Sequence, residues 1–207
     1  MQQLKNLLNT IPGDVKDKIH LKLNEFQKTK LTCENIFLEI CFCILVANCP
    51  LERTLKTWKQ IGKNFLSINQ TELNKILTKT GHRFHNNKSK FIIHAQSKMD
   101  DLYSHINLKD KPKLRDWLVK NFKGIGYKEA SHFLRNLGYK NFAILDRHVL
   151  KILLKTNVIK TIPKSLTRKK YLSIEKKLKT ISKITKLHMD ELDMYLFYLN
   201  SNKIALK

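Results

Sequence analysis

The stretch WLVKNFKGIGYKEASHFLRNLG, residues 117–138, decides the fold of this chain. At its centre, the run Phe122–Gly126 separates two amphipathic segments with helical periodicity. Its two glycines, one residue apart, permit positive φ and carry no Cβ atoms that would block a closely approaching group. Ile125 between them is expected to point into the core. The stretch therefore predicts a helical hairpin motif over about 112–137.

The turn of this hairpin is a candidate DNA-binding element through Gly124 and Gly126. Backbone N–H groups at the start of the second helix lack intrahelical acceptors, and together with the helix dipole they suit a phosphate group. Ala130, one turn later, is small enough to let the two helices pack closely. An ordinary helix–helix turn closed by a glycine has a similar pattern, so the residues alone leave both interpretations open.

The remainder of the chain predicts an all-α protein. Apolar residues recur with a helical period from end to end, and the alternation typical of strands is hard to find. Helices are predicted over 14–27, 34–47, 51–61, 71–80, 87–104, 112–121, 127–137, 146–156, 168–181 and 188–200. No internal repeat or low-complexity tract interrupts this series, so we expect residues 1–207 to form a single unit.

The charge of the chain favours a polyanionic partner. Forty Lys and Arg residues stand against seventeen Asp and Glu residues, which gives a formal net charge of +23. Neutralising phosphates releases condensed counterions and drives association with nucleic acid. Most of the basic residues are Lys in a chain also rich in Asn and Ile, a composition that an AT-rich genome produces without selection for binding. The charge alone therefore does not decide the partner.

The remaining composition points to a soluble protein inside the cell. The first twenty residues lack the apolar core of a signal peptide, and no apolar stretch is long enough to span a membrane. We therefore expect a protein of the cytoplasm or nucleoid with no membrane contact. The four cysteines all lie between Cys33 and Cys49 without CxxC spacing, which favours core thiols over a metal site.

Lys128 and Asp146 are the candidate catalytic residues. Lys128 lies near the start of the second hairpin helix, where the positive end of the helix is one of the influences that make an amine nucleophilic. Asp146 follows eighteen residues later, at the predicted N-cap of a new helix after an apolar approach. A carboxylate in that position can equally serve only as a helix cap.

The segments GIGYKEASHFLRNLGY and AILDRHVL together resemble the helix-hairpin-helix DNA glycosylase superfamily, and most closely its archaeal-type 8-oxoguanine DNA glycosylases. The resemblance covers nearly the whole chain. Further segments that carry it are CFCILVANCP at 41–50, GHRFHNNKSKFI at 81–92, IPKSLTRKKYLSIE at 162–175 and ELDMYLFYL at 191–199.

This resemblance implies two helical lobes around a base-binding cleft and a lysine-dependent lyase mechanism. Lys128 is then the catalytic amine, and Asp146 stabilises the cationic sugar and helps to deprotonate that amine. Neither step requires a cofactor or a metal. The iron–sulfur members of the superfamily have four cysteines near the C-terminus, whereas this chain has none after Cys49.

The same resemblance implies which residues recognise the damaged base. Phe84 and Phe197 fall where the family places stacking aromatics, although both also suit a core. Arg83 is expected to fill the space left by the flipped nucleotide or to face the orphaned cytosine, with a simple phosphate contact as the alternative. His148 is expected to be structural or to contact a phosphate. Lys207, the last residue, is implied to distinguish 8-oxoguanine from guanine.

The sequence therefore predicts a monomeric glycosylase and lyase that acts on double-stranded DNA containing 8-oxoguanine. A glycosylase for another damaged purine is one alternative, but base removal alone uses water and does not need an amine such as Lys128. The other alternative is a non-enzymatic helix-hairpin-helix module that binds DNA through its backbone amides, for which a Lys and Asp pair has no use.

Overall fold

The computed structural model describes residues 2–204, and these residues form helices joined by turns and loops without any strand. The all-α fold class predicted from periodicity is confirmed. The helices are α1 Gln2–Asn9, α2 Gly13–Gln27, α3 Cys33–Val46, α4 Leu51–Ile61, α5 Gln70–Lys79, α6 His85–Gln96, α7 Met99–His105, α8 Lys111–Asn121, α9 Tyr127–Asn136, α10 Arg147–Lys155, α11 Arg168–Thr185 and α12 Met189–Ser201, with a 3-10 helix at Gly62–Leu66 after α4.

The chain forms two compact units, and the boundary between them falls inside α9. The first unit contains the described residues up to Lys28 together with those from Leu134 onward, and the second unit spans Thr29–Phe133. Each unit is therefore an all-helical body of its own. The hairpin turn and Lys128 belong to the second unit, and Asp146 belongs to the first.

The core of the second unit is built on α3. Its sequence CENIFLEICFCILV is apolar around most of its circumference, and Phe37, Ile40 and Leu45 are fully buried. Helices α6 and α7 pack against it. A helix that is apolar all round must be covered on every side, which explains its central position. The four cysteines are not joined in disulfides; Cys41 and Cys43 are buried, as predicted, while Cys33 and Cys49 are partly exposed.

The core of the first unit lies around α12, which packs against α10, α2, α11 and α1. Leu196 of α12 and Leu153 of α10 are fully buried. Helix α1 was not predicted, because the first residues lack a capping signal. Its Leu4 and Leu8 are nevertheless spaced four apart and both are buried, so packing stabilises this short helix.

Several helix boundaries differ from the sequence prediction, among them the end of α11, which lies at Thr185 and not at residue 181. The predicted helix 87–104 is two helices, because the backbone of Lys98 leaves helical geometry and the Ser97 hydroxyl donates to the carbonyl oxygen of His94. A Ser side chain that bonds to the backbone competes with helix continuation. The helix predicted to begin at residue 14 begins at Gly13, so that Asp14 lies inside the first turn of α2 and pairs with Lys18 at 2.9 Å.

Candidate active site and DNA-binding hairpin

The turn of the hairpin has the predicted shape but needs its two glycines for different reasons. Gly124 has φ +81°, and a Cβ atom there would overlap the ring of Phe91. Gly126 does not have positive φ, which corrects our expectation; a Cβ atom there would instead lie 3.2 Å from Oε2 of Glu129. Ile125 is buried between them, as predicted.

Close packing and a polar brace hold the two hairpin helices together. Ala130 is fully buried, and its N–H donates to the Gly126 carbonyl oxygen at 2.8 Å. Arg115 of α8 donates to the Ser131 hydroxyl of α9 at 3.1 Å and lies over the ring of Tyr127. These contacts fix the start of α9, and therefore the position of the residues in its first turn.

Lys128 lies in that first turn with 29% of its side chain exposed. Its ammonium nitrogen is 3.3 Å from Oε1 of Glu129, the next residue, whose side chain is 16% exposed. In the part of the chain that the structure describes, this carboxylate is the one hydrogen-bonding partner of Lys128. The predicted nucleophile is therefore accessible and is held by a neighbouring acid that the sequence analysis did not single out.

A cavity of about 300 Å³ lies beside this pair within the second unit. Its wall includes the aromatic rings of Phe84 and Phe91, the side chains of Lys88 and Glu129, and the turn glycine Gly124. Aromatic rings beside a few polar groups are the usual lining of a site for a planar ligand. The hairpin, the neighbour of Lys128 and one predicted stacking residue thus meet at one cavity.

Phe84 is placed as a contact residue and not as a core aromatic. It precedes α6 with φ +58°, a left-handed conformation that is uncommon for an aromatic residue, and 55% of it is exposed. The guanidinium carbon of Arg83 lies 5.4 Å from the centre of its ring. Arg83 and Phe84 therefore form an exposed pair at the cavity.

Lys88 is a functional candidate that sequence reasoning missed. It is only 3% exposed, and its ammonium donates to the carbonyl oxygen of Leu45, in the last turn of α3, at 2.6 Å. Burial lowers the pKa of Lys88 to about 8; Cys49 acts in the opposite direction, and the charge of Lys128 lowers it further. The available signal was its helical spacing, since Lys88 shares a face of α6 with the buried Ile92 and Ala95.

Asp146 caps α10 in the first unit, as predicted. Its Oδ1 accepts hydrogen bonds from the N–H groups of His148 and Val149, both at 2.8 Å. The capping geometry explains the local fold and is compatible with a further chemical role, because Asp146 remains partly exposed. Lys128 and Asp146 lie in different units, so their convergence on one reacting centre stays a prediction.

A buried polar clamp fixes the segment that leads to Asp146. The Tyr171 hydroxyl donates to the carbonyl oxygen of Ala143 at 2.6 Å and accepts from the N–H of Leu145 at 3.3 Å. Asp193 accepts from the N–H of Ile144 at 3.1 Å and pairs with Arg135 at 2.9 Å. This segment is buried and not part of any strand, so side chains must satisfy its backbone groups.

Phe197 and His148, two other predicted site residues of the first unit, contact each other. Their rings lie 4.9 Å apart in an edge-on arrangement, and Nδ1 of His148 is 2.6 Å from the side-chain nitrogen of Asn200. Phe197 is partly exposed and therefore is not an ordinary core residue. Lys207 lies outside the described residues.

Within 2–204 no group of three or more His, Cys, Asp or Glu side chains is arranged to hold a metal ion. None of the helices in that range combines the length and the apolar character that a membrane span requires.

An all-helical fold with a glycine hairpin and a lysine in the first turn after it defines the class of helix-hairpin-helix DNA glycosylases. Comparison with known proteins gives the family within that class. A family model described as 8-oxoguanine DNA glycosylase matches residues 19–187, and the chain belongs to this family.

Relatives and solved structures match over nearly the whole chain. The 8-oxoguanine DNA glycosylase/AP lyase of Methanocaldococcus jannaschii is 41% identical, covering 99% of this chain and 96% of the relative. The crystal structure of the glycosylase/lyase from that organism, in complex with a 15mer DNA containing 8-oxoguanine, superimposes with a TM-score of 0.93 at 40% identity and covers 100% of both chains. The 8-oxoguanine DNA glycosylase of Thermotoga maritima has a TM-score of 0.91 at 35% identity, covering 98% of both chains.

Proposed function

We propose that this chain is a bifunctional DNA glycosylase and AP lyase that excises 8-oxoguanine from double-stranded DNA. The proposal rests on full-length similarity to a glycosylase/lyase crystallised with 8-oxoguanine DNA, combined with the position of Lys128 in the first turn after the hairpin. The net charge of +23 supports a DNA partner. We further propose that the protein acts as a monomer in the cytoplasm or nucleoid.

The reaction uses the amine of Lys128 as the nucleophile. A base stacked in a duplex shields its sugar, so the damaged nucleotide must first flip out, at a cost of a few kcal/mol. The lone pair of Nζ then attacks the anomeric carbon, and the bond to the base breaks with its electrons leaving on the base. After Nζ loses a proton, the C1′–O4′ bond of the sugar breaks and O4′ takes up a proton. The protonated Schiff base that forms then undergoes β-elimination, which cuts the strand on the 3′ side. The charge of Asp146 stabilises the cationic sugar.

Base recognition is proposed for Phe84, Phe197 and Lys207. The exposed ring of Phe84 beside the cavity and the partly exposed ring of Phe197 each offer a face or an edge to a purine. Oxidation of guanine replaces the N7 acceptor with an N–H donor and adds a C8 carbonyl. The side chain of Lys207 offers an ammonium donor, which can answer the added C8 carbonyl.

Contacts to the rest of the DNA are proposed for the hairpin and two basic residues. Gly124 and Gly126 let the backbone N–H groups before α9 approach a phosphate. Arg83 is proposed to occupy the space that the flipped nucleotide leaves or to face the orphaned cytosine. His148, supported by Phe197, is proposed to contact a phosphate.

Borohydride trapping tests the proposal. The protein should form a covalent complex with DNA carrying 8-oxoguanine when the Schiff base is reduced, and Lys128→Gln should abolish it. Binding should change little, because one of forty basic residues is neutralised. Cutting at the lesion by the Gln variant would refute the nucleophile. Trapping only on another damaged purine would refute the substrate, and binding without trapping would indicate a non-enzymatic module.

A further inference from the structure

We propose that Glu129 is a further catalytic residue, which accepts the proton that the Lys128 ammonium must lose before its nitrogen attacks the sugar, a role that the family resemblance assigns in part to Asp146. This assignment rests on the proposed lyase function. An ammonium has no lone pair with which to attack, and a general base must lie within hydrogen-bonding reach of the proton that it removes. The acceptor of that proton is therefore a required part of the site.

The contact geometry selects Glu129 for this role. Its Oε1 lies 3.3 Å from Nζ of Lys128, and no other described residue accepts a hydrogen bond from that nitrogen. Both side chains are largely, but not completely, shielded from solvent, at 29% and 16% exposure. A proton can therefore pass directly between the two groups while the approach of a substrate remains open.

The hairpin turn is shaped around the same carboxylate. A Cβ atom on residue 126 would lie 3.2 Å from Oε2 of Glu129, which is closer than most contacts of that kind. Since Gly126 does not need positive φ, the missing side chain serves to leave room for this oxygen. Glu129 is also the one acid among the described residues that line the cavity of about 300 Å³, so it faces the space next to the nucleophile.

Charge balance explains why a carboxylate suits this position. Lys88 lines the same cavity from α6 with its ammonium buried, and the charges of Lys88 and Lys128 repel each other. In the proposed step the N–H bond of Lys128 breaks, an O–H bond forms on Glu129, and the electron pair stays on Nζ. The total charge of the three groups is unchanged, and loss of the repulsion between the two ammonium groups offsets part of the attraction between Lys128 and Glu129 that the step removes.

If Glu129 only forms a salt bridge with Lys128, removing its carboxylate should have the opposite effect on the reaction rate. A carboxylate that only stabilises the ammonium opposes its deprotonation, so its removal should make Lys128 react faster. Lys128 is the charged group that contacts Glu129. Lys88 lines the same cavity from α6, and the lining residues from α3 and the loop after it, Ile44, Ala47 and Asn48, are uncharged. Removing the carboxylate should therefore lower the reaction rate if Glu129 is the proton acceptor and raise it if Glu129 is only a salt-bridge partner.

The experiment measures single-turnover excision of 8-oxoguanine and borohydride trapping by Glu129→Gln. We expect the excision rate to fall by about a hundredfold or more. The difference in excision rate between the wild type and Glu129→Gln should become smaller as the pH rises from 7 to 10, because hydroxide then removes the proton from Lys128 instead. Glu72→Gln is the matched control, since Glu72 is an exposed residue in the first turn of α5 that carries the same charge. Its rate should equal that of the wild type.

Two more variants keep the test decisive. Glu129→Asp keeps a carboxylate and should retain more activity than Glu129→Gln, and formate should restore part of the activity of Glu129→Ala. A rate for Glu129→Gln equal to or above that of the wild type, or a loss that is independent of pH and not rescued by formate, would overturn the proposal. If the wild-type protein itself fails to trap 8-oxoguanine DNA, the proposed function fails and not merely the role of Glu129.

Discussion

Asp193 accepts a hydrogen bond from the backbone N–H of Ile144 at 3.1 Å, two residues before the proposed catalytic Asp146. Burial raises the pKa of Asp193 to about 7, Arg135 opposes this shift, and Asp146 adds to it. A buried carboxylate is costly unless it is paired and hydrogen-bonded. Its two partners therefore fix both the side chain and the segment that carries Asp146.

The first prediction concerns Tyr171, which bonds to this segment on either side of Ile144. Tyr171→Phe should lower the free energy of unfolding by about 1–3 kcal/mol, because the buried N–H of Leu145 and the carbonyl of Ala143 lose a partner. Urea denaturation measures the change. Tyr103→Phe, at an exposed tyrosine, should have no comparable effect. Equal stabilities of the two variants would show that the Tyr171 hydroxyl does not hold the segment.

The clamp also shows where sequence reasoning ends. Helical periodicity and turn residues predicted the all-α class, the hairpin and the cap at Asp146, because these depend on neighbours close in the chain. Tyr171 bonds to Leu145, 26 positions away, and Asp193 bonds to Ile144, 49 positions away. Contacts over such distances in the chain cannot be predicted from a local sequence pattern. The sequence likewise did not show that Lys88 and Glu129 line one cavity, because their positions there depend on packing between separate helices.

The second prediction separates the two roles of Asp146. Asn is about as good an N-cap as Asp, so Asp146→Asn should keep nearly the same thermal stability while losing most excision activity. Asp146→Ala removes both the charge and the cap to His148 and Val149, and should also lose about 1 kcal/mol of stability. Near-normal turnover by Asp146→Asn would show that Asp146 serves only as a helix cap.

The third prediction compares the two hairpin glycines. Gly124→Ala should destabilise the protein by more than about 1 kcal/mol, because the new Cβ atom meets Phe91 and the backbone has positive φ. Gly126→Ala should lower the free energy of unfolding by less than Gly124→Ala does, since its Cβ atom crowds only the end of the Glu129 side chain.

The Gly126→Val variant should bind lesion-free duplex more weakly, although its net charge is unchanged. Thermal melts and binding titrations at matched salt measure these effects, and an unchanged affinity would contradict the phosphate contact.

The fourth prediction uses the pH dependence of stability to test whether Lys88 is a buried cation. Its pKa of about 8 is below the ordinary value of 10.5 because burial disfavours the ammonium. Below pH 8 both the folded and the unfolded chain carry this proton, so the folded state bears the full cost of a buried charge. Between pH 8 and 10.5 only the unfolded chain holds the proton, and the contribution of Lys88 to stability rises with pH.

Relative to Lys88→Met, which has no such group, the wild type should therefore gain stability by a few kcal/mol as the pH increases over this window. Lys90→Met, at an exposed position of the same helix, provides the control and should give a curve parallel to that of the wild type. Denaturant unfolding at several pH values measures all three proteins. Parallel curves for the wild type and Lys88→Met would show that the Lys88 ammonium is not desolvated in the folded protein.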